Sequence, residues 1–170
     1  DVLLISQSKT GYYTIAGPMR LGAILAGATK RQLISLYNFG IALGCAFQIT
    51  DDLLDLTSTF SGLKNQIGND IYEGKRTVML VHLLNHLDSA NKTKLIQILS
   101  RPRSQKTPSQ VLWVIDQMKQ AGSLDYGRDL AAKFSGQALK IFETELKFLS
   151  RQPFRDQLRS GIDFITHRQH

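Results

Sequence analysis

Apolar residues recur at helical spacing through most of the chain, and no stretch of useful length alternates between apolar and polar positions. The pattern therefore predicts an all-α fold. We expect a long helix over 30–56, a short buried helix over 78–84, and further helices over 90–99, 108–121, 123–149 and 153–168.

Several helix ends are predicted by their capping residues. Thr29 with Gln32 has the capping-box pattern, in which the two side chains bond each other's backbone N–H. Thr107-Pro108-Ser109-Gln110 combines the same pattern with proline at the first helical position. Gly122 is a typical glycine just after a helix C-terminus.

Residues of low helix propensity or small size interrupt two of the helical stretches. Lys9-Thr10-Gly11 weakens its helix, because threonine and glycine both have low helix propensity. Gly40 and Gly44 project to the same side of the long helix as Asp51. They leave space either for close helix packing or for a ligand, and the sequence alone does not separate the two.

Composition limits the class of protein. The chain has 170 residues, enough for one domain with a core, and its 42% hydrophobic and 21% charged content is typical of a soluble protein. No uninterrupted apolar run has the length of a membrane span, so we expect no transmembrane helix. Cys45 is the single cysteine, which excludes an internal disulfide and favours a reducing, cytoplasmic location.

The net charge of +7 suits a polyanionic partner. The lysines and arginines are scattered, however, without a dense basic run or interleaved aromatic residues, so we expect no nucleic-acid binding. Phosphorylated small molecules are the simpler explanation of the positive charge.

The segment 47–55 carries the clearest chemical signal. Asp51, Asp52 and Asp55 lie within five residues and, with Gln48, share about 100° of one helix face. Like charges one turn apart destabilise a helix, and no lysine or arginine lies between Asp51 and Lys64. A bound Mg²⁺ ion, or Mn²⁺ in its place, would supply the missing charge, since hard cations prefer oxygen ligands. A solvated acidic helix end, or a helix N-cap at Asp52 or Asp55, is the alternative.

Three motifs together resemble a known family. They are Lys9-Thr10-Gly11, Phe47-Gln48-Ile49-Thr50-Asp51-Asp52-Leu53-Leu54-Asp55 and Gly68-Asn69-Asp70-Ile71-Tyr72-Glu73-Gly74-Lys75-Arg76-Thr77. In this order they resemble the trans-isoprenyl diphosphate synthases, or polyprenyl synthetases, whose second aspartate-rich motif reads F-Q-x-x-D-D-x-x-D. The resemblance covers nearly the whole chain.

The resemblance implies a fold and an activity. Residues 1–170 would form one partial domain, the C-terminal helices of the isoprenoid-synthase helical bundle. The implied reaction is a prenyl transfer that ionises an allylic diphosphate and adds isopentenyl diphosphate to the cation, giving a longer trans-prenyl diphosphate. Family members are usually homodimers, so we expect a homo-oligomer.

The resemblance also implies roles for single residues. Asp51, Asp52 and Asp55 would bind the metal, with Asp51 the strongest direct ligand and Asp55 acting through water. Lys9 and Lys75 match lysines that contact the allylic diphosphate. Thr10 and Gln48 match residues whose uncharged oxygens face the developing cation, and Phe47 matches an aromatic residue near the isopentenyl chain. Core packing alone also explains Phe47.

The chain departs from the family pattern in two places. Asn65 and Gln66 occupy the position of a frequent lysine before Gly68, where Lys64 is the nearest substitute. The family's first aspartate-rich motif is absent, and with it the basic residues that hold isopentenyl diphosphate. We therefore expect the chain to be inactive by itself.

Two other functions remain open. A non-catalytic partner or regulatory subunit of a heteromeric synthase has the same fold, but it has no need of Lys9, Thr10, Gln48 and the intact aspartate motif. A related α-helical terpene cyclase uses similar metal–diphosphate chemistry, and the 68–77 motif argues against it.

Overall fold

The structure is a computed structural model that describes residues 2–57 and 67–167, and within these ranges it forms helices and no strand. The prediction of an all-α fold is confirmed. The elements in chain order are α1 (Val2–Ser6), a π-helical segment (Gln7–Ala16), α2 (Gly17–Leu25), α3 (Lys30–Thr57), α4 (Asn69–Glu73), α5 (Val78–His86), α6 (Ser89–Leu99), a 3₁₀ turn (Arg103–Gln105), α7 (Pro108–Gln120), α8 (Ser123–Thr144) and α9 (Phe154–His167).

The predicted caps are formed. Gln32 Oε1 accepts from the Thr29 N–H at 2.7 Å, and α3 begins at the next residue. Thr107 and Gln110 form a reciprocal capping box with Pro108 in the first turn of α7. Gly122 has a φ of +67° just beyond the end of this helix. Left-handed backbone of this kind favours glycine because a Cβ atom would be strained there.

Helices α8 and α4 differ from the prediction. Helix α8 ends at Thr144 instead of near Leu149. The N–H groups of Glu145 and Leu146 both bond the Ile141 carbonyl, so the regular i to i−4 ladder stops there. Helix α4 was not predicted, since five residues are too few for a hydrophobic period.

The described residues divide into two compact units, residues 2–50 with 129–167 and residues 51–57 with 67–128. The boundaries fall within the sequences of α3 and α8. The expectation that residues 1–170 form one partial domain therefore stays a prediction.

The core of the first unit joins residues of α3 to residues of α8 and α9. The Phe39 and Phe142 rings pack with centroids 6.2 Å apart. Arg155 covers the Phe142 ring at 4.4 Å and donates to the Leu146 and Leu149 carbonyls, which satisfies backbone groups after α8. The buried members of this core are Leu36, Phe39, Ala42, Leu43, Ala138, Phe142, Leu146 and Ile162.

The core of the second unit is built around α5 and α7. Met79 and Leu83 of α5 and Val114 of α7 are fully buried. Gly127 lies against this core, because a Cβ atom on it would come within 2.7 Å of the Met79 sulfur. Helix α4 packs against α7 of this unit.

Helix α3 is long and apolar enough to cross a membrane by length and composition, although its apolar residues are interrupted by polar ones. Buried core helices meet the same test, and 56% of its most apolar window is buried within the protein. Burial also raises the pKa of the Cys45 thiol on this helix to about 11, so the thiol stays protonated at neutral pH.

Candidate functional site

The Lys9-Thr10-Gly11 run lies in the middle of the π-helical segment Gln7–Ala16. The wider turn is visible in two contacts across five residues: the Gly17 N–H bonds the Tyr12 carbonyl, and the Thr14 hydroxyl donates to the Lys9 carbonyl at 3.1 Å. The low helix propensity of this run was predicted, but its π geometry was not. π-Helical segments are rare in proteins, and those that occur are often found at functional sites.

The two glycines of α3 allow close packing against this segment. A Cβ atom on Gly44 would lie 2.4 Å from the Cα of Gly11, and one on Gly40 would lie 2.6 Å from the Cα of Ala16. Backbone atoms cannot move aside as the end of a side chain can. Helix packing therefore accounts for both glycines, and the alternative of space kept for a ligand is not needed.

This close approach brings two predicted site residues into contact. The Thr10 hydroxyl donates to Gln48 Oε1 at 2.7 Å, and Thr10 is only 6% exposed. The bond fixes the Gln48 amide with its oxygen towards Thr10. Lys9 is exposed and Phe47 is half-buried. The first unit thus contains a pair of uncharged oxygens, with an exposed lysine next to Thr10 in the chain.

The acidic residues begin the second unit. Asp52 is 8% exposed, whereas Asp51 and Asp55 are half-buried. Asp55 Oδ2 accepts the N–H of Asp70 at 2.9 Å, and the Asp55 carbonyl accepts the N–H of Gly68 at 2.8 Å. Asp55 therefore holds the start of α4, a structural role in addition to the predicted role at the metal.

Lys75, the lysine predicted to contact the diphosphate, is bound by the acidic residue Asp70. Asp70 Oδ1 accepts from Lys75 Nζ at 2.5 Å, and Glu73 lies 3.3 Å from the same ammonium. The hydrogen bond to Asp70 raises the pKa of Lys75, against the effect of its own partial burial, so the lysine remains charged far above neutral pH.

Asp70 contacts two of the predicted site residues, Asp55 and Lys75, but was not itself predicted as a site residue. It lies within the 68–77 motif, and its spacing of five residues from Lys75 was the available signal. That spacing becomes a contact because Gly74 adopts a φ of +71° and turns the chain back after α4. Lys64 lies outside the described residues.

The acidic cluster offers only part of a metal site. Three carboxylates within five residues supply the oxygen donors that Mg²⁺ prefers. In the part of the chain that the structure describes, however, no three acidic, histidine or cysteine side chains converge as a complete metal cage. The donors therefore fit an ion whose other positions are filled by water and by a ligand such as diphosphate, which is how Mg²⁺ is usually bound.

The sequence and the structure were compared with known proteins. The model of the polyprenyl synthetase family matches residues 1–118, more than half of the chain. The chain belongs to this family. The resemblance drawn from the three motifs is therefore confirmed.

Individual polyprenyl synthetases match almost the whole chain. It is 29% identical over 156 residues to the short chain isoprenyl diphosphate synthase of Methanothermobacter thermautotrophicus, covering 92% of this chain and 46% of the relative. The chain is also 29% identical to heptaprenyl diphosphate synthase component 2 of Bacillus subtilis. That match covers 91% of this chain and 42% of the relative. The chain thus spans about half the length of the curated relatives it matches.

A solved structure shares the fold. The geranylgeranyl pyrophosphate synthase of Corynebacterium glutamicum, complexed with isoprenyl diphosphate and magnesium, superposes with a TM-score of 0.81 at 26% identity. The match covers 98% of this chain and 47% of that protein. The fold expected from the family resemblance is thereby confirmed.

Proposed function

We propose that this chain carries the allylic-diphosphate half of a trans-prenyltransferase, which joins an allylic diphosphate to isopentenyl diphosphate. The observation that supports this most strongly is the sorting of polar groups by charge. Uncharged oxygens pair at Thr10 and Gln48, whereas the carboxylates and the paired lysine occur at Asp51–Lys75. The reaction needs both kinds of group.

The charged groups serve the leaving diphosphate. Asp51, supported by Asp52 and Asp55, would hold Mg²⁺, or Mn²⁺ in its place, once diphosphate is present. A bound divalent ion neutralises the diphosphate so that it can leave. Lys75 supplies a further positive charge, and its bond to Asp70 fixes the ammonium in one place. Lys9, being exposed, is free to reach a phosphate oxygen in the same way.

The uncharged pair serves the cation. An allylic cation is captured by a nearby carboxylate or by water, so the groups that stabilise it must be dipoles rather than anions. The Thr10–Gln48 hydrogen bond holds such dipoles in place before the reaction, which avoids the cost of reorienting them during ionisation. Phe47 would pack near the isopentenyl chain.

We also propose a homodimeric, cytoplasmic protein. Large apolar surfaces favour association. Five large apolar side chains near the start of the chain are more than half exposed: Leu4, Ile5, Leu21, Ile24 and Leu25. The name of the Bacillus subtilis relative, a "component 2", supports the alternative of a heteromeric synthase in which this chain belongs to one subunit. Light scattering on the purified protein, alone and with candidate partners, separates the two assemblies.

Product formation tests the proposed function. In the full-length gene product, Asp51→Ala should reduce the incorporation of labelled isopentenyl diphosphate by about a hundredfold or more, because charge neutralisation at the leaving group is lost. Asp116→Ala is the matched control, since Asp116 is an exposed carboxylate on α7 with one loose ion pair. Wild-type turnover in a folded Asp51→Ala variant would remove Asp51 from the mechanism.

A further inference from the structure

Helix α4 depends on other elements for its conformation. It has five residues, and helices this short do not persist alone in water. Yet it carries Asp70 and leads through Gly74 into Lys75, the ion pair assigned to diphosphate binding. Whatever holds α4 therefore also determines where the Lys75 ammonium lies.

The C-terminal end of α4 is held by a buried lysine. Lys106 is 6% exposed, and its Nζ donates to the Tyr72 carbonyl at 2.8 Å. Carbonyls in the last turn of a helix lack partners within the helix, and a cation is their most favourable partner. Gly74 lies beside the same ammonium, because a Cβ atom on it would be in ordinary van der Waals contact with Lys106 Nζ, at 3.5 Å.

The opposite end of α4 is held by Arg103. Its Nη2 donates to Asn69 Oδ1 at 2.9 Å, and its guanidinium lies 5.5 Å from the centroid of the Tyr72 ring. Arg103 is also 3.5 Å from Glu73, whose second oxygen is 3.3 Å from Lys75 Nζ. A continuous set of ionic contacts thus runs from Arg103 through Glu73 to Lys75.

The segment that carries both cations is itself fixed. Arg103 begins the 3₁₀ turn, and the N–H of Lys106 bonds the Arg103 carbonyl at 3.2 Å. Thr107 follows at once and forms the capping box of α7, a helix anchored in the core of the second unit. The two side chains therefore extend from a segment whose backbone is held by hydrogen bonds and by the start of α7.

We propose that Arg103 and Lys106 are positioning residues that hold α4 at both ends and so place the Asp70–Lys75 pair for binding a diphosphate. We call these two side chains the α4 brace. The proposal rests on the proposed function for its ligand, but the brace itself concerns contacts within this chain. Burial lowers the pKa of Lys106, so the protein retains a costly buried lysine at this place.

Lys106→Met tests the brace, because methionine keeps the apolar stem and removes the ammonium. We expect exchange of the Asp70, Gly74 and Lys75 amides with solvent to become about tenfold faster or more, as a hydrogen bond to a charged group is lost. Amides of α5 and α7 should exchange as in the wild type. Lys92→Met, an exposed lysine on α6, is the matched control and should change neither set.

A second measurement addresses the ligand. Titration with inorganic diphosphate in the presence of Mg²⁺ should show about tenfold weaker binding to Lys106→Met than to Lys92→Met, at an unchanged melting temperature. Another outcome is that the wild type binds no diphosphate while the Asp70, Gly74 and Lys75 amides still exchange faster in Lys106→Met. That result would contradict the proposed function and support the brace.

Two results would overturn the brace. One is wild-type protection of the three amides in Lys106→Met. The other is an even loss of protection across α4, α5 and α7, since that pattern belongs to a general core residue. If Lys106→Met does not fold, Arg103→Met takes its place, because Arg103 is half exposed and its loss spares the core. The same local loosening is then expected, and its absence counts against the proposal.

Discussion

The Thr10–Gln48 pair and the Asp70–Lys75 pair are both short, partly buried hydrogen bonds, but they differ in charge and in how the chain forms them. Thr10 and Gln48 are neutral and 38 residues apart, and the close approach of Gly44 to Gly11 brings them together. Asp70 and Lys75 are charged and five residues apart, and the turn at Gly74 brings them together. One pair needs tertiary packing, whereas the other needs mainly a local turn.

This difference matters for a reaction that separates a cation from an anion. Neutral dipoles stabilise a carbocation without forming a bond to it, whereas fixed charges suit the diphosphate and its metal. A variant that changes one pair should therefore leave the chemical role of the other intact.

The largest effect is expected from the neutral pair. In the full-length protein, Gln48→Leu should lower kcat by a factor of about 10²–10³, the usual loss for one preorganised dipole, and leave the Mg²⁺ dependence unchanged. Steady-state kinetics per folded molecule measures this. If Gln48 is only a packing residue, the melting temperature falls while turnover per folded molecule stays the same, and the assignment must be withdrawn.

Gln48→Glu makes the same test sharper. The new carboxylate can compete for the metal, or it can capture the cation as an allylic ester that water then hydrolyses to the alcohol. Prenyl product should therefore fall, and free allylic alcohol should rise. Chromatography of the labelled products distinguishes these routes. An unchanged ratio of alcohol to prenyl product would show that residue 48 lies away from the cation.

The packing that forms the neutral pair can be disturbed from the other side. Gly44→Ala places a methyl group 2.4 Å from the Gly11 Cα, and we expect a loss of stability of about 1–3 kcal/mol, as for other overpacked cores. Gly136→Ala on α8 is the control, because its Cβ would meet nothing within 4 Å. Replacing this exposed helical glycine should add about 0.5–1 kcal/mol. Urea denaturation measures both, and equal effects would contradict the close approach.

The charged pair should show a smaller effect that depends on pH. The bond to Asp70 raises the pKa of Lys75, so its contribution to stability is complete below the ordinary lysine value of 10.5 and is lost as pH rises through the raised pKa. Because the lysine side chain is half exposed, Asp70→Asn should cost at most about 1 kcal/mol at neutral pH. Urea denaturation of the wild type and the variant at neutral pH and at a pH above 10.5 checks this. A cost that grows with pH would contradict the pairing.

The two pairs also show how far sequence reasoning reaches. Capping boxes at Thr29 and Thr107 and the glycine at 122 fix helix ends through neighbouring residues, and these ends were predicted. The π-helical geometry around Thr10 was not, because it depends on packing against residues some thirty positions away. Helix α4 and the role of Asp70 were also missed, since five residues held by Arg103 and Lys106 leave no periodic pattern.

The most direct test of the division of roles is a binding titration with an unreactive allylic thiodiphosphate, with and without Mg²⁺, on the full-length wild type, Gln48→Leu and Asp51→Ala. We predict that Gln48→Leu binds the analogue as the wild type does, with the same Mg²⁺ requirement, because no cation forms. Asp51→Ala should lose the Mg²⁺-dependent part of the affinity. Equal losses in both variants, or none in either, would contradict the separation of a cation-facing pair from a diphosphate-binding group.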